Sequence, residues 1–271
     1  MRLLYGLIAL AAYLAAGGAA LAQNRDLDDC ELTTNRDTVI AACTKVIETR
    51  SQGLKNRVLA YNRRGQAYRN NGELDRALTD YNEALKLNPD DAWAHANRGA
   101  VYREKGDLDR AIESYTVAIG IDPKYASALA SRGAIYERKG DYERASRDYD
   151  QALRLEPRNA ATYNSRCWAR AIIGRLDDAL ADCDESVRLR PRDANTLDSR
   201  GLVYLKLGKF DRSIEDYDAA LKIDPKKAYS LYGRGTAKLK KGDTAAGEED
   251  IAKAKEIRAD IAELFAKLNV K

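Results

Sequence analysis

Residues 126–159 read ASALASRGAIYERKGDYERASRDYDQALRLEPRN, and the stretches on either side repeat the same plan. The proline of this stretch belongs to a ruler. Pro89, Pro123, Pro157, Pro191 and Pro225 are the five prolines of the chain, each 34 residues after the last. Proline lacks an amide hydrogen and clashes with a helix that continues through it. Five equally spaced helix stops therefore mark five equally spaced helix ends. Self-similarity at such a period means one supersecondary unit laid down repeatedly, each copy packing on its neighbours.

Aligned on the prolines, six copies run 58–91, 92–125, 126–159, 160–193, 194–227 and 228–261. Position eight of each copy is Gly65, Gly99, Gly133, Cys167, Gly201 and Gly235. Position eleven is Tyr68, Tyr102, Tyr136, Arg170, Tyr204 and Lys238; position fifteen is glycine throughout, from Gly72 to Gly242. Position twenty is Ala77, Ala111, Ala145, Ala179, Ser213 and Gly247, and position twenty-four is Tyr81, Tyr115, Tyr149, Cys183, Tyr217 and Ile251. Small residues at positions eight and twenty let two helices approach closely, with tyrosines filling the space beside them. Glycine at fifteen suits the left-handed conformation that ends a helix. Each copy thus reads as a helix, a glycine turn, an antiparallel helix and a proline-marked turn.

The succession small–aromatic–Gly turn–Ala–aromatic–Ala–Pro resembles the tetratricopeptide repeat (TPR) family over residues 58–261, with five strong copies and a degenerate sixth. The resemblance implies an all-α fold, a right-handed TPR superhelical solenoid of antiparallel helix pairs, and a role in protein–protein interaction. Residues 23–57 read as a worn N-terminal copy or cap, with Cys43 in the place of the position-twenty-four aromatic and a four-residue insertion around Ser51–Lys55. At the other end Ile261, Leu264, Phe265 and Leu268 form an amphipathic stripe, read as a capping helix over 262–271.

Residues 1–22 are a different object. Arg2 precedes an Ala- and Leu-rich run that closes on Ala20-Leu21-Ala22 before Gln23, the small-residue pattern of a secretory cleavage site between Ala22 and Gln23. An uncleaved anchor is the other reading, since roughly 20 apolar residues can span a bilayer. Cleavage predicts a periplasmic or secreted chain without membrane insertion. The net charge of +4, of which Arg2 supplies one, is too small to point to nucleic acid or an anionic membrane surface.

Four cysteines follow the cleavage point: Cys30, Cys43, Cys167 and Cys183. An even count in an exported chain suggests disulfides, with buried free thiols the alternative. In the TPR frame Cys167 and Cys183 occupy facing positions of one hairpin, and Cys30 with Cys43 joins the entry segment to the worn copy, so those two pairings are expected. No C-x-x-C, no metal-ligand cluster, no G-x-S-x-G, no phosphate-cradling glycine loop and no H-E-x-x-H occurs. The single histidine, His95, falls on a packing face and reads as structural. The expectation is a non-enzymatic protein without metal or other cofactor.

Position seven is arginine in every copy: Arg64, Arg98, Arg132, Arg166, Arg200 and Arg234. Position twenty-three is Asp80, Ser114, Asp148, Asp182, Asp216 and Asp250. The matching acids argue for a structural ladder of paired hydrogen bonds over a ligand rail.

In the TPR family, positions two, five, six, nine, twelve and thirteen of each first helix line the peptide groove. The resemblance therefore places Arg63, Gln66, Arg69, Trp93, Asn97 and Arg103 at a polar, basic front. It places Trp168, Ile172, Leu202, Leu205, Tyr229, Tyr232 and Leu239 at an apolar, aromatic rear. Trp168 is either a partner anchor or a side chain covered by its neighbours or the cap. The lysine/asparagine carboxylate clamp of chaperone-binding relatives is not matched, because the corresponding positions are Asn62, Gln66, Asn97, Ser127 and Ser131. The expected function is a scaffold or adaptor in the cell envelope that binds a protein segment. The alternatives are a self-associating structural protein that uses the rear groove as an oligomer interface, and a regulatory subunit of an envelope hydrolase.

Overall fold

A computed structural model describes residues 25–49 and 52–268; the apolar run 1–22, with the Ala22–Gln23 junction, lies outside the described residues. Every regular element among the described residues is a helix. Helix α1 spans 25–32, α2 Arg36–Glu48, α3 Leu54–Asn70, α4 Leu74–Leu87, α5 Ala92–Glu104 and α6 Leu108–Ile121. After these come α7 Ala126–Arg138, α8 Tyr142–Leu155, α9 Ala160–Ile172, α10 Leu176–Leu189 and α11 Ala194–Lys206. The last four are α12 Phe210–Ile223, α13 Ala228–Lys241, α14 Thr244–Ile257 and α15 Ile261–Ala266. The chain forms two compact units, Met1–Pro123 and Lys124–Lys271. None of the described helices is long and apolar enough to cross a membrane.

The repeated letters act through a repeated turn. All six position-fifteen glycines are left-handed, from φ 73° at Gly208 to 91° at Gly242, where a Cβ would clash with the backbone. At Gly106 the Asp107 amide donates to Tyr102 O at 2.9 Å and the Gly106 amide to Arg103 O at 3.0 Å. That pair of bonds closes the Schellman motif and satisfies two orphaned carbonyls. Asp107 then caps the next helix by accepting from the Arg110 amide at 3.1 Å. One dipeptide therefore both ends a helix and starts its antiparallel partner. The second helices stop at Leu87, Ile121, Leu155, Leu189 and Ile223, each two residues before a proline.

Within a hairpin the glycine at position eight lies against the tyrosine at position twenty-four. A Cβ on Gly133 would come within 2.8 Å of the Tyr149 ring, and one on Gly201 within 2.9 Å of Tyr217. Neither ring has room to retreat, since Tyr149 and Tyr217 are both fully buried. Close approach and ring burial are thus one feature read at two positions.

The arginines join neighbouring copies. Arg200 donates from Nε and Nη2 to Asp216 at 2.7 and 2.8 Å, and from Nη1 back to Asp184 at 2.9 Å. Arg166 and Arg234 repeat the plan with Asp182 and Asp150, and with Asp250 and Asp218. At the N-terminal edge Arg64 holds Asp80 and reaches back to Thr44, 20 residues away where the other copies reach 16. The extra four residues, expected in the turn around Ser51–Lys55, instead lengthen α3, which starts at Leu54, four residues ahead of the copy boundary drawn from the prolines, and runs 17 residues where α5 runs 13.

Candidate partner-binding face

In the first unit, α3 and α5 carry the polar residues selected from the sequence, and the structure engages most of them internally. The Arg63 guanidinium donates to the carbonyls of Cys30 at 3.2 Å, Glu31 at 2.7 Å and Thr33 at 3.3 Å, and to Gln66 at 3.3 Å. It therefore serves as a C-terminal cap for α1, where a cation faces the negative end of the helix. Arg69 donates from Nε and Nη2 to the single oxygen Oε1 of Glu104 at 2.8 and 2.6 Å, and its Nη1 lies 3.5 Å from Asn97 Oδ1. Asn97 in turn donates to Trp93 O at 2.9 Å, and the Trp93 ring meets Tyr81 edge-on at 6.1 Å. Arg103 is half-buried on α5. The basic front predicted from the residue types is thus largely engaged within the chain: Arg63 donates to carbonyls and Arg69 to a carboxylate. What remains open beside it is a small cleft of about 220 Å³ lined by Thr33, Arg36, Arg63, Gln66 and Asn70 among others.

In the second unit the structure brings the apolar residues together. Leu202 and Leu205 form a buried cluster with Ala237, Phe265 and Leu268, and Trp168, Ile172, Tyr229 and Tyr232 pack against it. The expectation of an open rear groove needs correction, because the C-terminal segment lies on it. Phe265 sits 4.8 Å from the Tyr232 ring, and both Leu202 and Leu205 are only 2% exposed. The amphipathic stripe of α15 finds there the apolar surface that its own six residues cannot supply. Leu239 does not join the group; it is 37% exposed and leans over Gly247 on α14.

A residue that pattern reading passed over completes this face. Lys206, near the C-terminal end of α11, donates from Nζ to Ala171 O at 2.7 Å and to Leu268 O at 2.8 Å. It ties the end of α9 to Leu268, just past α15, and burial holds its ammonium below the usual lysine range. The only sequence signal for it was a lysine inside an otherwise apolar face. Beneath the face, Asp198 is buried and accepts from Ser230; burial pushes its carboxyl up to about 6 despite that hydrogen bond.

The four cysteines lie in two buried pairs. Cys30 bonds Cys43 and Cys167 bonds Cys183, with Cα separations of 4.8 and 5.4 Å. No group of three or more potential metal-ligating side chains is present among the described residues. His95 Nε2 lies 2.9 Å from Pro89 O, inside the α4–α5 turn.

Antiparallel helix pairs with a glycine turn, stacked by an arginine–aspartate ladder, define a helical-repeat interaction protein. Residues 65–103, 99–140 and 201–242 match the TPR repeat family model, and residues 126–159 match the tetratricopeptide repeat model. The chain belongs to the tetratricopeptide repeat family. Among solved structures it is similar to PilF of Pseudomonas aeruginosa, with 20% identity, 79% of this chain and 99% of that one covered, and a TM-score of 0.64. It is also similar to YrrB, described as a TPR protein with an unusual peptide-binding site: 24% identity, 69% and 97% covered, TM-score 0.57. MamA of Desulfovibrio magneticus RS-1 aligns at 21% identity over 62% of this chain and 96% of that one, with a TM-score of 0.57. At these identities the likeness carries the fold. No curated protein matches the sequence. The TPR fold makes the chain a scaffold for protein–protein interaction, and no catalytic family is matched.

Proposed function

We propose that the protein is exported and acts in the cell envelope as a non-enzymatic adaptor, holding a protein segment on the apolar face formed by α9, α11 and α13. One observation carries the reading. That face already receives a short amphipathic helix, the chain's own α15, through Phe265, together with Leu268 just beyond it. A six-residue helix is far below the length that holds itself in water, and α15 has no side-chain N-cap bond. Its position is therefore owed to the face, which suits a partner segment of the same aromatic-and-leucine pattern. Export is supported by the apolar run that closes on Ala20-Leu21-Ala22 and by two cysteine pairs, which an oxidising compartment favours.

Affinity capture from an envelope extract with the exported protein, compared across two variants, tests the reading. Phe265→Ala with Leu268→Ala loosens α15 and is expected to increase capture. Trp168→Ala removes the aromatic floor and is expected to weaken capture by more than about 1 kcal/mol per folded molecule. Equal capture by all three proteins would remove the face from the account. A light-scattering mass of two chains that falls to one on Trp168→Ala would assign the face to self-association instead. Recovery of the protein with Met1 intact in the membrane fraction would refute cleavage.

A further inference from the structure

The ladder has one gap. In five copies the position-seven arginine holds the aspartate sixteen residues on: Arg64 with Asp80, Arg132 with Asp148, Arg166 with Asp182, Arg200 with Asp216 and Arg234 with Asp250. Each uses Nε and Nη2 on one edge of the guanidinium, the paired geometry that suits a carboxylate. In the second copy that aspartate is Ser114. Arg98 turns elsewhere. Its Nη1 donates to Asn82 Oδ1 at 3.1 Å and its Nη2 lies 3.3 Å from His95 Nδ1. Its Nε is buried without a hydrogen-bond partner. With His95 Nε2 donating to Pro89 O, Nδ1 accepts from Arg98, so the imidazole is neutral and supplies no counter-charge.

A guanidinium keeps its charge at every accessible pH, and a half-buried charge hydrogen-bonded only to neutral groups is costly. The reach-back partner is neutral too, Asn82 standing where later copies have Asp150, Asp184 and Asp218. Beside Arg98 opens a cleft of about 480 Å³ lined by Thr79, Asn82, Glu83, Leu85, Lys86 and Arg98. The one acid in its wall, Glu83, is held by Lys86 at 2.5 Å. An arginine, a lysine, an amide and a hydroxyl thus face a space large enough for a side chain.

We propose that this cleft between α4 and α5 binds a carboxylate side chain of an acidic protein segment, which supplies, on the Asn82 side of Arg98, the counter-charge that both Asn82 and Ser114 omit. Three later copies show that the cleft side of this arginine accommodates a carboxylate, since Nη1 of Arg166, Arg200 and Arg234 takes Asp150, Asp184 and Asp218 where Arg98 has Asn82. A phosphate, with nearly twice the charge, would meet stronger repulsion from Glu83. The site lies in the first unit and is independent of the apolar face of the second.

The test uses a fluorescein-labelled hexaglutamate peptide on the intact protein, followed by anisotropy and by the Arg98 Nε–Hε resonance. Saturable binding that moves this resonance is expected, together with no response to the matching hexaglutamine peptide. Arg98→Gln should weaken the binding about tenfold, the scale of a charge-assisted pair. Ser114→Asp supplies a counter-charge from inside, and should weaken the response while raising the melting temperature. No saturable binding to the wild type, equal binding by hexaglutamine, or an undiminished response in Ser114→Asp would overturn the proposal. A resonance shift with inorganic phosphate but not with hexaglutamate would overturn it in favour of phosphate groups. The wild-type titration stands even if a variant fails to fold.

Discussion

Residues 126–159 and 160–193 have the same backbone and different interiors. Helices α7 and α9 are both 13 residues long, α8 and α10 both 14, and the turn glycines Gly140 and Gly174 have φ of 79° and 84°. In the first of these copies, Gly133 makes room for the Tyr149 ring, whose hydroxyl donates to Glu137 at 2.9 Å. In the second, Cys167 and Cys183 take the places of the glycine and the tyrosine, and Ala171 takes the place of Glu137. A ring against no side chain has become two sulfurs against each other. The third substitution follows the same logic: Tyr136, stacked under Arg132 and Arg144, gives way to Arg170. Arg170 joins the ladder, donating to Asp182 and Asp150 at 2.8 Å each. Turn chemistry and caps set the backbone of a copy, while its interior admits different fillings of similar volume. The family models match residues 126–159 and resume at residue 201, so the copy between them departs in side chains and keeps the geometry.

That contrast can be broken from either side. The largest effect is expected in the ring-filled copy. Tyr149→Ala empties a fully buried site beneath Gly133, where no neighbouring Cβ can fill the space, and should cost about 3–5 kcal/mol by denaturant melts. A loss below about 1 kcal/mol would mean the hairpin can collapse onto the void, contrary to the close packing described.

The cysteine-filled copy should respond to removal of its cross-link. Cys167→Ala with Cys183→Ala opens a loop of 16 residues, worth about 3 kcal/mol in the chain-entropy picture. Alkylation of the denatured, unreduced protein should find no free thiol in the wild type. Four reactive thiols there would show that the copy is filled by two thiols and not by a bond.

The smallest effect concerns pH, and separates the copies by kind. Burial holds the Glu137 carboxyl above its ordinary 4.5, against the hydrogen bond from Tyr149. The folded chain therefore keeps a proton that the unfolded chain has already lost, and this contribution to stability declines as pH rises from 4.5 through the raised value. Glu137→Gln should gain stability relative to wild type between about pH 4 and about pH 7. The 160–193 copy, with Ala171 at that position, has no counterpart. A constant difference between the two proteins across that range would show that Glu137 titrates as in the unfolded chain.

Much of this architecture was legible in the letters. The prolines located the helix ends, the glycines located the left-handed turns, and the Arg–Asp spacing located the ladder. Each is a local or nearest-neighbour feature, so it recurs with the period and averages over copies. The face offered to a partner was less legible. Arg63 and Arg69 looked available because they stand at groove positions, yet Arg63 caps α1 and Arg69 holds Glu104. Trp168, Leu202 and Leu205 were correctly grouped as apolar, but residue type does not say whether a face is open or covered.

By itself the sequence determined the class of element, the number of helix pairs, the position of every glycine turn and the internal pairing of each hairpin, because all of these rest on contacts within one copy or the next. Only the tertiary structure decided what happens at the ends. Arg63 reaches carbonyls 30–33 residues back, and Lys206 meets the carbonyl of Leu268 62 residues on. Those contacts belong to the segments that do not repeat. A segment with no periodic partner takes whatever apolar or charged surface the finished repeats leave uncovered, and that choice depends on three-dimensional shape and desolvation together.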